Sequence, residues 1–172
     1  DEILRNEGVQ RGHLLTPDQR ARITAATSVL REQWDAARSS EGVVRPEDAA
    51  LCSNLVVAYL ALDDLPAALE LARQGLAAAP EDVELAKRAA LAAVEGNDDE
   101  LACDLLKRLP VGPDATILGF RYHAARGDWS EVARIGREQN DTIPDVERTL
   151  VVTACRLAEL KLQRPNDLDV KI

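Results

Sequence analysis

Apolar residues recur along this chain at helical rather than strand spacing. In residues 47–62 the set Leu51, Leu55, Ala58, Tyr59 and Leu62 shares one helical face, and in 66–78 the set is Ala68, Leu69, Ala72 and Leu76. Pro66 suits a helix start, where its missing N–H costs nothing. The same reading predicts helices over 82–95, 98–109, 114–126, 129–140 and 145–162. Upstream, Thr16-Pro17-Asp18-Gln19 is a capping box with Pro at the first helical position. The helix it opens carries Ile23, Thr27, Leu30, Trp34 and Ala37 on one face and is expected to end near Ser39-Ser40. Connections this short join antiparallel neighbours.

Two series of punctuation marks divide the middle of the chain. Acidic or Gly-containing turns stand at Asp63-Asp64, Gly96-Asn97-Asp98 and Gly127-Asp128, so that Asp64 to Asp98 is 34 residues and Asp98 to Asp128 is 30. Prolines that end helices stand at Pro46, Pro80 and Pro144, 34 and then 64 residues apart. Both series give one full period followed by one shortened by four residues. Residues 1–46 do not share the period and read as an N-terminal capping region. Residues 47–162 hold the repeats and a terminal capping helix, and 163–172 are a polar tail.

The repeat resembles the tetratricopeptide family, whose signature of about 34 residues runs Trp-x-x-Leu-Gly-x-x-Tyr, then Ala-x-x-x-Phe, then Pro. Here Cys52, Leu55, Val56 and Tyr59 are followed by Ala68, Ala72 and Pro80, with Leu55, Tyr59, Ala68 and Pro80 matching. The next repeat supplies Ala86, Ala89, Ala90, Ala93, Ala102 and Leu106. A third supplies Thr116, Gly119, Phe120, His123, Val132, Gly136 and Pro144, and the last helix Leu150, Thr153, Ala154 and Leu157. The resemblance implies an all-α, right-handed solenoid of antiparallel helix pairs, with small residues such as Ala68, Ala90, Ala102 and Ala154 at close helix crossings.

It also implies a concave groove lined by the first helix of each pair, in which a protein or peptide partner lies. Its side chains would be Ser53, Asn54, Val57 and Leu60 from the first repeat, and Glu84, Lys87, Arg88, Leu91 and Glu95 from the second. Ile117 and Arg121 would follow from the third, and Arg148, Val151 and Cys155 from the final helix. The cations Lys87, Arg88, Arg121 and Arg148 suit an acidic motif or a free carboxylate. The competing expectation is that they pair with acidic neighbours as a solvated face.

Composition narrows the function classes. Of 172 residues, 46% are hydrophobic but only 3% aromatic, an Ala- and Leu-dominated make-up that favours close-packed helices over a sandwich or barrel. Net charge is −9: residues 1–46 carry seven basic and seven acidic side chains, residues 47–172 fourteen and twenty-three. That sign argues against a nucleic-acid or anionic-membrane partner. Cys52, Cys103 and Cys155 are far apart, with no metal-ligand spacing, and read as reduced core thiols of a cytoplasmic protein. Lacking methionine and starting at Asp1, the chain is expected to be a piece of a longer protein.

No constellation supplies nucleophile, base and oriented partner, so no enzyme, metal or cofactor is expected. His123 reads as a hydrogen-bonded histidine between helices, and Asn97-Asp98-Asp99-Glu100, Asp63-Asp64 and Glu81-Asp82 as helix caps. The expectation is a non-catalytic protein- or peptide-binding scaffold. Its alternatives are an oligomerisation module, whose apolar helix would be 145–162, and a regulatory region of a larger enzyme.

Overall fold

The computed structural model describes residues 15–39, 45, 48–138, 152, 153, 155–160 and 162. Seven helices carry almost all of them: α1 Pro17–Ser39, α2 Ala49–Ala61, α3 Leu65–Ala78, α4 Val83–Glu95, α5 Asp99–Arg108, α6 Pro113–Ala125 and α7 Trp129–Glu138. The described residues from 152 onward are helical as well, and no strand occurs among the described residues. Pro46, Pro144, residues 1–14 and the tail 163–172, on which the sequence carried expectations, lie outside them.

Local chemistry explains the helix starts. At α1 the capping box closes as read: the Gln19 N–H donates to Thr16 Oγ1 at 3.2 Å, and the Thr16 N–H to Gln19 Oε1 at 2.9 Å. Asp64, Asp82, Asp98 and Asp128 each accept from the N–H three residues on, at 3.2, 2.8, 3.3 and 3.3 Å. The acidic clusters are therefore caps, and Asp98 is also paired with Arg73 across from α3.

The three turns share one backbone design. The N–H of Asp64 reaches the carbonyl of Tyr59, that of Asp98 reaches Ala93, and that of Asp128 reaches His123. Each turn passes through one left-handed residue, Asp63 (φ 64°), Asn97 (φ 55°) or Gly127 (φ 69°), types that tolerate or favour that region. Tyr59, Ala93 and His123 thus hold one register position, as do Leu55, Ala89 and Gly119 four residues earlier. The first helices of the pairs, α2, α4 and α6, are each 13 residues long, whereas α3 has 14 and α5 only 10. The four residues missing from the second period are missing from α5.

The chain divides into two compact units, Asp1–Leu105 and Leu106–Ile172. In the first, α2 packs against α1, α3 and α4, and α3 also packs against α4. Contact on several sides leaves α2 with no clean polar face: Ala49, Cys52, Leu55, Val56 and Ala58 are all buried. Trp34, Leu55, Leu71, Leu85 and Leu105 are the largest fully buried side chains of this core, each worth on the order of 2 kcal/mol of burial. Ala68, Ala90 and Ala102 are buried, and Ala154 lies outside the described residues. In the second unit α6 packs on α7, and Phe120, Val132, Ala133, Ile135, Cys155 and Ala158 form the core, with Ala124 and Trp129 against it.

Candidate functional site

The predicted groove residues fall into three groups. In the first unit α2 packs against α4; α2 carries half-buried Ser53, Asn54, Val57 and Leu60, and α4 carries half-buried Lys87, Leu91 and Glu95 and exposed Glu84 and Arg88. Lys87 is held by Glu84 one turn back on its own helix, Nζ to Oε1 2.8 Å, so part of the cationic strip is locally neutralised. Arg88 stands exposed on the same helix. Ile117 and Arg121 are half-buried on α6 in the second unit, and Arg148 and Val151 lie outside the described residues.

Cys155 corrects an expectation. It does not face a groove; it is buried in the second core, where its thiol donates to the Val132 carbonyl at 3.2 Å and lies against Gly136. Cys52 has a matching environment, donating to the Leu71 carbonyl at 3.1 Å beside Gly75. Burial pushes the Cys52 thiol up to about 11, and burial followed by the Glu159 charge raises Cys155. Neither thiol is a nucleophile at neutral pH.

His123 bridges the third turn. Its Nδ1 lies 3.2 Å from Asp128 Oδ2, its ring meets Tyr122 edge-on at 5.1 Å between centroids, and Arg126 stacks over Tyr122 at 4.0 Å. Partial burial of Asp128 opposes its charge. The Glu131 N–H, the Ser130 hydroxyl and His123 outweigh that and hold its carboxyl below the usual carboxylate range.

One feature was not read from the sequence. A cleft of about 210 Å³ opens in the second unit along the α6 face that carries Ala115, Thr116, Gly119 and His123. Leu106 in the last turn of α5, Leu109, Val111 and Gly112 in the loop after it, and Arg134 and Ile135 of α7 complete its walls. This face is opposite to that of Ile117 and Arg121, two residues either side of Gly119. The signal in the sequence was a glycine in the middle of an otherwise good helix.

Among the described residues, no group of His, Cys, Asp and Glu is placed to hold a metal ion, and no helix is long and apolar enough to cross a membrane. Helix pairs joined by matching turns define a helical repeat-like protein. The chain matches no protein-family model, no curated protein and no solved structure.

Proposed function

We propose that this chain is a non-catalytic, tetratricopeptide-like scaffold that binds a protein or peptide along the face shared by α2 and α4. What supports this reading is that α2 packs against α4, and that Asn54, Val57 and Leu60 on the one helix and Leu91 on the other are half-buried while Arg88 is exposed. Apolar contact area with a cation at its edge suits an acidic segment or a free carboxylate. The cytoplasm, where buried thiols stay reduced, is the proposed compartment.

The test is capture of partners from lysate by wild type and by the Lys87→Glu, Arg88→Glu double variant, with Glu81→Lys as the surface control. Asp98 is unsuitable as a control because it caps α5 and pairs with Arg73. The double variant should keep wild-type helicity and lose the captured protein. Capture unchanged in that variant removes the α2–α4 face from consideration. A second reading, self-association, is favoured by the exposed Leu160 and Leu162 of the last helix and is read directly by sedimentation equilibrium.

A further inference from the structure

Four helical or turn glycines of this chain invite the same question: what would a Cβ meet there? At Gly75 it would come 2.5 Å from Cys52 Sγ and 2.9 Å from Leu85, and at Gly96 2.7 Å from Leu69. At Gly136 it would collide with Cys155. At Gly75 and Gly136 packing against a buried cysteine excludes a side chain, while at Gly96 the clash falls on the end of the Leu69 side chain. At Gly119 the nearest atom is Ile135 Cδ1 at 3.9 Å, an ordinary contact. Gly119 sits in the interior of α6, where glycine is the poorest choice short of proline. Neither backbone geometry nor packing asks for it.

Its register partners show what is missing. Leu55 in α2 and Ala89 in α4 occupy the same position relative to their turns, and both are fully buried. In α6 the side chain is absent, and the space opens into the cleft beside Leu106, Leu109 and Ile135. Because α5 ends four residues sooner than α3, the loop Leu109–Gly112 forms that edge of the cleft. Its volume of about 210 Å³ is below the 300–1,000 Å³ of sites for drug-sized ligands. It exceeds the roughly 150 Å³ that takes a benzene ring. The space fits one bulky side chain.

Charge indicates whose side chain. Residues 1–105 carry twenty acidic and ten basic side chains, but residues 106–138 carry four and six. Lys107 and Arg108 stand exposed between the cleft residues Leu106 and Leu109, and Arg134 lines the opposite wall, held by Glu131 and Glu138. We propose that this cleft is a second binding site, which takes a single bulky apolar side chain from an acidic peptide segment of a partner. It lies in the second unit and does not depend on the α2–α4 face, so either site can fail without the other.

The probe is a fluorescein-labelled synthetic peptide with one central leucine among aspartates and glutamates, titrated with the full chain and followed by anisotropy. Binding should weaken roughly tenfold or more when that leucine becomes alanine, and should fall with added salt. Gly119→Leu fills the space from within. It should abolish binding while leaving the melting temperature equal or higher, and Gly119→Ala should weaken binding by less. No binding to wild type, or equal binding to Gly119→Leu, overturns the proposal. A neutral leucine peptide that binds equally well overturns the acidic assignment. A wild-type dimer that Gly119→Leu converts to monomer means that a second copy fills the cleft, and overturns the peptide reading. If Gly119→Leu does not fold, Gly119→Ala decides: unchanged peptide affinity in it counts against the site.

Discussion

Four residues before each turn closure, the first unit carries Leu55 and Ala89, and the second carries Gly119. The backbone around the three positions is alike, with the same reach-back from an aspartate N–H and the same single left-handed residue. The first unit fills its core from its own sequence; the second leaves a space at the matching point. Charge divides the same way, with twenty acidic to ten basic side chains in residues 1–105 and ten to eleven in residues 106–172. Backbone periodicity and core filling are thus separable. Caps and turns hold the repeat, while individual side chains decide whether a repeat is closed or left receptive.

Reversing the two ends of this comparison gives the largest expected effect. Leu55→Gly would open in the first unit the space that the second already has, at a cost of about 4 kcal/mol from lost burial, cavity and helix propensity. Chemical denaturation would show it, and a loss below about 1 kcal/mol would mean that α2 and α6 do not share a register. Next comes one substitution made at two glycines. Gly75→Ala should destabilise by about 1–3 kcal/mol, because the new methyl meets Cys52 and Leu85. Gly119→Ala should stabilise by up to about 1 kcal/mol. Equal signs in the two melting experiments would break the contrast.

The smallest effect belongs to the third turn. Asp128 titrates below the usual range when folded, so its contribution is complete above the unfolded value of about 3.9 and is lost as pH falls through the folded one. Asp128→Ala should therefore cost about 1 kcal/mol near neutral pH, a typical capping loss. The wild-type and variant stabilities should converge as acid protonates the folded carboxylate, at a pH below the unfolded value. A constant gap across that range would place the loss in something other than the carboxylate's charge.

Helix positions and caps were legible in the sequence because they are local. Thr16 and Gln19, and Asp64, Asp82 and Asp98, need only a neighbour three residues away. Facing directions were less legible. Cys52 is buried, as the core-thiol reading expected, but Val56 is buried although the stripe through Leu51 and Tyr59 looked dominant, because α2 is touched from three sides and periodicity reports only one. Cys155 was read both as a core thiol and, from the resemblance, as a groove residue; only the first agrees with its burial. Gly119 was visible as a departure from the repeat pattern, but its meaning depended on what surrounds it in three dimensions. Only the other helical glycines, whose added methyl would meet Cys52 or Cys155, show that this one is unforced.

The ten-residue length of α5 has an evolutionary reading. Removing one residue from a helix turns everything after it by about 100°, and removing four turns it by only about 40°. A deletion of four is close to a whole turn, so the residues that follow within the helix keep nearly the same faces while the helix loses about 6 Å. Helix length can therefore change in steps of a turn at little cost to the pattern of buried and exposed positions along it.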